Sequence, residues 1–252
     1  MKQAFILWSG ALLLTFLTGY VQSGTSEYYP VTGTSGINGK KVTYKFDKIY
    51  KDSGDYKFII RTDDPDVEGV IKWKKKDGHE WKTIEMKKDT NVLYAKIPRQ
   101  NAGNKILYYA KLYKDTHTYN LPGEPVTLLF LGYLPATIGF LSFFTLFGGL
   151  LLSFRTGLEF FNENQKIKKL TLFTVSFFFL YTIAVTPLRK SYELNAINNK
   201  VVPITDLFDL QSVILFTLWI TAMIIIFKSG NPKYPALVFS LITALVFLLI
   251  RI

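Results

Sequence analysis

Arg189, Lys190 and Glu193, followed by Thr205, Asp206 and Asp209, form the densest set of reactive side chains in the second half of this sequence. They crowd a polar island, residues 188 to 212, between two almost uncharged apolar runs. Bases facing acids at that spacing could carry a lipid-processing site, with Arg189 and Asp206 as its centre, but no residue set here matches a known catalytic pattern. A simpler reading covers most of the polarity. Thr205, Asp206 and Asp209 precede an apolar run where an N-terminal helix cap would stand, with acid at the positive end of the helix dipole. What remains is length, since about 25 residues is more than a plain connection needs. Leu194, Ile197, Val201, Val202, Ile204, Leu207 and Phe208 are also apolar enough to lie on a membrane surface or under another domain. The expectation is a docking surface built from Arg189, Lys190, Glu193, Asp206 and Asp209, in which Arg189 or Lys190 pairs with Asp206 or Asp209.

Other chemistry finds little support. His79 and His117 fall in "DGHEW" and "DTHTY", where the neighbouring acids are equally good turn formers, so neither a metal site nor a Ser-His-Asp site is expected. There is no cysteine, which removes disulfides and thiolate metal sites. Glycine-rich phosphate loops are absent, and Gly148-Gly149 lies inside an apolar run, where small residues let helices approach closely. In "RTGLEFFNENQKIKK" Arg155 and Glu159 are four apart and can face each other on a helix end. No catalytic residue, cofactor or metal is assigned.

The elements that must position these residues follow from composition. The 252 residues are 49% hydrophobic and carry a formal charge of +11. That excess does not point to nucleic acid: lysines of the first half alternate with Asp63, Asp64, Asp66 and Glu68, and those of the second half flank apolar runs, where anionic lipid is the nearer partner. Composition changes near "LPGEP", residues 121 to 125, where Pro and Gly punctuate the chain. Beyond it, four uncharged runs read as membrane spans at 134–154, 170–187, 213–227 and 235–250. The last two are joined by the tight basic turn "KSGNPKY" and so form an antiparallel hairpin. No formal charge falls in mid-span, which weighs against a transporter or proton channel. The scattered hydroxyls, Thr145, Ser176, Thr217 and Thr243 among them, are expected to bond their own backbone or a neighbouring helix.

"MKQAFILWSGALLLTFLTGYVQSGTS" has the layout of a secretory signal, residues 1–23, with an apolar run from Ala4 to about Leu17 and Ser23 as a cleavage position; an uncleaved anchor is the alternative. Either way the following segment is delivered outside. Basic residues agree: Arg155, Lys166, Lys168, Lys169, Lys228 and Lys233 would lie inside, against Arg189, Lys190, Lys200 and Arg251 outside. The expected location is a bacterial inner membrane, with the N-terminal domain and the C-terminus on the periplasmic side.

Between signal and spans the pattern has period two. Val42, Tyr44 and Phe46 share a face, as do Tyr56, Phe58 and Ile60, Ile71 and Trp73, Ile84 and Met86, Leu93, Ala95 and Ile97, and Ile106, Tyr108, Ala110 and Leu112. Asp77-Gly78 and Gly103 are expected to mark hairpins. Seven strands of this kind predict an all-β sandwich over 24–131, followed by a transmembrane helical domain over 132–252. With Trp73 on the third strand and the phrase "YAKIPRQNAGNKILYYAKL", the domain resembles the immunoglobulin-like or fibronectin type III class, and the whole layout is similar to uncharacterised bacterial envelope membrane proteins. The resemblance implies a fold and a location without an activity.

The function expected is therefore a non-enzymatic accessory or assembly subunit of a membrane complex, in contact with lipid and other membrane protein subunits. A transport or channel component with an exported ligand-binding domain is the alternative. Exposed Tyr94, Tyr109 and Trp81 could also bind glycan by analogy of fold.

Overall fold

Helix α1 (Lys2–Thr25) precedes ten strands and five further helices, an order of α, then β, then α, in a computed structural model that describes residues 2–26, 28–37, 39–163, 165–195 and 202–250. The chain divides into two compact units. One comprises Tyr28–Tyr133 with Glu193–Asn195, the other the helices.

The strand unit holds β1 (Val31–Ile37), β2 (Lys40–Phe46), β3 (Ile49–Tyr50), β4 (Tyr56–Thr62), β5 (Glu68–Lys75), β6 (Lys82–Glu85), β7 (Lys87–Asp89), β8 (Val92–Ile97), β9 (Lys105–Lys114) and β10 (His117–Phe130). They make two five-stranded sheets, in the orders β1-β2-β4-β8-β7 and β3-β10-β9-β5-β6. Every pairing is antiparallel except β3 with β10. The alternation seen in the sequence is the reason: Tyr56, Phe58, Ile60 and Thr62 of β4 are buried while the residues between them are exposed. Ile106, Tyr108, Ala110 and Leu112 of β9 are likewise buried, with half-buried residues between them. The apolar members of both sets enter one core with Val42, Phe46, Ile71 and Trp73. Phe46 and Phe58 meet there at a centroid distance of 4.5 Å. Each such side chain fully withdrawn from water contributes about 1.5–3 kcal/mol.

The strand count exceeds the seven expected. Directly after "WKTIEM" an unexpected strand, β7, begins, because the chain changes sheets at Met86, whose N–H bonds the Gly69 carbonyl at 2.9 Å. β1, "VTGTSGI", is too poor in large apolar residues to announce itself. Asp77-Gly78 does join the paired β5 and β6. Gly103 does not mark a hairpin: it has φ +88° in the link from β8 to β9, which belong to different sheets. "LPGEP" is likewise no boundary. It is an irregularity within β10, where the register against β9 shifts between Leu121 and Val126, and the unpaired stretch accepts prolines that a regular ladder would reject.

In the helical unit α2 (Ala136–Leu158) ends in a single 3₁₀ turn (Glu159–Phe161), and α3 (Ile167–Phe179) runs through a π turn (Leu180–Val185) into α4 (Thr186–Glu193). α5 (Leu210–Lys228) and α6 (Lys233–Leu249) follow. The helix does not stop at Pro187. Proline lacks an N–H and its ring crowds the carbonyl four residues back, and the wider π turn immediately before it relieves both, so helix continues to Glu193. α1, α2, α3 with α4, and α5 are long and apolar enough to cross a membrane, whereas α6, at 17 residues, is a shorter apolar helix. The apolar run read as ending near Leu17 is therefore part of a 24-residue helix, and Ser23 lies inside it.

Close approach organises the bundle. A Cβ on Gly149 would sit 2.8 Å from the Phe178 ring, so glycine lets α3 lie against α2 there. α5 and α6 are antiparallel, tied by Trp219 Nε1 donating to Thr243 Oγ1 at 2.8 Å. α1 is part of the same packing: Ala11 is buried in the helical core, Gln3 Nε2 donates to the Phe161 carbonyl at 3.0 Å and Gln22 Nε2 to the Phe247 carbonyl at 3.0 Å. Hydroxyls of Thr145, Ser176, Thr217 and Thr243 donate to carbonyls one turn back, at 2.7–2.9 Å.

Candidate functional site

Asp209 is where charges of the 188–212 segment converge. It stands at the N-terminal boundary of α5 with an extended backbone, and its carbonyl accepts the Val213 N–H at 3.2 Å. Its side chain caps nothing. The carboxylate accepts instead from both cations of α4, from Lys190 Nζ at 2.9 Å and from the Arg189 guanidinium. Burial makes this more than a surface pair, since the Asp209 side chain is 9% exposed and that of Arg189 13%. Charges so withdrawn from water need their partners, and removing one strands the other.

The other expected members lie elsewhere. Asp206 is exposed in a 3₁₀ turn (Ile204–Leu207), where its Oδ1 accepts the Thr205 hydroxyl at 3.4 Å. Glu193 belongs to the strand unit: its carboxylate takes Lys51 Nζ at 2.9 Å and its carbonyl the Gly132 N–H at 2.7 Å. Ile204 is strongly exposed. Ile197, Val201, Lys200 and Arg251 lie outside the described residues. The structure thus joins Arg189, Lys190 and Asp209, while Glu193 pairs with Lys51 and Asp206 stays exposed.

A second ionic site occupies the end of α2. Arg155 donates to Glu159 Oε1 at 2.6 Å, and both side chains are buried. Glu159 also accepts the Asn162 amide at 2.9 and 3.1 Å and the Lys166 N–H at 2.9 Å. Spacing in the sequence points to the pair but gives no sign of its burial.

A third lies in the strand unit. Asp64 accepts from Lys114 and, at 3.4 Å, from Lys40, and its Oδ1 takes the Asp66 N–H at 3.1 Å. The Lys114 hydrogen bond, with that backbone donor, holds its carboxyl down to about 2. Sequence reasoning sees Asp64 only as a charge offsetting nearby lysines, because Lys114 is fifty positions away. Tyr56 and Tyr108 place their hydroxyls 3.1 Å apart in the core, and burial pushes both phenols up.

The aromatic trio suggested for glycan does not form one platform. Trp81 and Tyr109 meet edge to face at 5.2 Å. Tyr94, on β8, belongs to the other sheet. His79 lies between β5 and β6 and His117 opens β10. Among the described residues no group of three or more histidines and acids could hold a metal ion.

No family model and no curated protein matches this chain. Among solved structures, one titled "Crystal structure of Br derivative BhCBM56" aligns at 12% identity over 41% of this chain and 95% of that one, with a TM-score of 0.26. A likeness that loose carries no inference about fold or ligand.

Proposed function

We propose that this chain is an integral membrane protein with an exported sandwich of the immunoglobulin-like or fibronectin type III-like class, serving as a non-enzymatic accessory or assembly subunit of a membrane complex. The observation that carries the reading is the outward surface of the helices. In the most apolar stretch of each long helix the buried share is only 17% for α1 and at most 44%, for α2. Phe140, Phe143, Phe144, Phe173 and Phe179 are among the side chains left outside. Water does not solvate apolar surface of that extent, so lipid or other apolar helices must cover it. Retaining α1 gives a bundle of five helices, with the strand unit and the C-terminus on the outer side of a bacterial inner membrane and the Arg155 and Lys228 ends inside.

The subunit reading rests on two features. Five helices exceed what an anchor needs, and buried ion pairs fix helix ends: Arg189 and Lys190 on Asp209, and Arg155 on Glu159. Extraction from native membranes in mild detergent should release the chain with partner membrane proteins in fixed ratio. A chain that stays in solution without detergent refutes the membrane reading, and one that purifies alone refutes the subunit reading. Ion or solute flux through liposomes containing only this chain would favour the transport alternative.

A further inference from the structure

A cavity of about 430 Å³ opens among α1, α2 and α3 at the end of the bundle that holds Arg155. Arg155 is 4% exposed, and the Trp8 ring lies 5.4 Å from its guanidinium carbon. One guanidinium nitrogen serves Glu159, while Nε and Nη1 are buried and meet no acceptor. Glu159 is already engaged by Asn162 and the Lys166 N–H. Lys166 and Lys169 line the same cavity, as do the apolar Leu152, Leu170 and Phe173. Three cations and one carboxylate therefore line a space with apolar walls, and two Arg155 donors are buried beside it. A purely structural Arg155 would need only Glu159. Donors left without acceptors in such a place are costly unless a ligand supplies oxygens.

We infer that the cavity binds a phosphate group, and that its occupant is the headgroup of an anionic phospholipid. Phosphate offers several acceptor oxygens to guanidinium and ammonium donors at once. The positive end of the α3 dipole adds to the attraction. A phospholipid fits better than free phosphate because the walls above the charges are apolar and can lie along acyl chains. The inference rests on the membrane-embedded reading of the helices.

The full chain would be placed in nanodiscs of phosphatidylcholine, alone or mixed with phosphatidylglycerol, and the lipid retained on gentle release weighed by native mass spectrometry. Wild type should keep phosphatidylglycerol in preference. Lys166→Gln with Lys169→Gln, both exposed positions that leave the Arg155–Glu159 pair intact, should weaken that preference at least about tenfold, a basic group near a membrane surface being worth about fivefold. Arg155→Lys, which keeps the charge but loses the free donors, should weaken it too. No preference in wild type, or a preference unchanged in all variants, overturns the site. Equal thermal protection by inorganic phosphate in lipid-free detergent overturns the lipid as occupant. Failure to enter nanodiscs at all would instead overturn the membrane reading.

Discussion

Asp209 illustrates how a residue can sit where a cap belongs and act as something else. Its carboxylate answers two cations on α4, and with 9% of its side chain exposed it is screened less than a surface pair would be. Arg189→Glu alone should destabilise the helical unit by about 1–3 kcal/mol, since it sets an acid against Asp209. Combining it with Asp209→Lys should recover about 1 kcal/mol or more of coupling, read from thermal denaturation in detergent. Additive effects of the two changes would remove the pairing. Asp64 is tested through pH. Its carboxyl ionises at about 2 in the folded chain against an ordinary 3.8, so its stabilising contribution is complete above about 4 and is lost as pH falls through 2. Amide exchange in β5 and β9 should accelerate over that window in the wild type and much less in Asp64→Asn. An identical acid response in both would contradict the role given to Lys114.

At the scale of elements, the sequence was legible where burial has a period. The strand faces from Val42 to Leu112 could be read because each strand presents one side to one core. β1 and β7 could not, since Thr, Gly and Ser carry little apolar signal and a change of sheet at Met86 leaves no trace in alternation. Pro187 misleads in a different way. Local rules end a helix before proline, and only the π turn at Leu180–Val185, invisible in composition, lets it continue. The charged segment was half legible: spacing gives candidate partners for Arg189, but choosing Asp209 over Asp206 depends on where α5 starts. α1 carries the sharpest consequence. Its Ala11, Gln3 and Gln22 contacts make it a member of the bundle, and the mature chain should accordingly retain residues 2–25. Intact mass of protein purified from membranes checks this. A mass corresponding to loss of everything up to Ser23 would show that the helix is removed.

At the scale of the whole molecule we propose one chain with two kinds of surface for two solvents: sheets with charged outer faces in water and helices with apolar outer faces in lipid. Absence of cysteine gives a direct way to ask which side each part occupies, because any introduced thiol is the sole one. Single Lys76→Cys, in the strand unit, and Ser229→Cys, between α5 and α6, would be exposed to a membrane-impermeant thiol reagent on spheroplasts and again after permeabilisation. Labelling of Lys76→Cys before permeabilisation and of Ser229→Cys only after it is the predicted result. Labelling in the reverse order, or equal labelling of both before the membrane is opened, would contradict it.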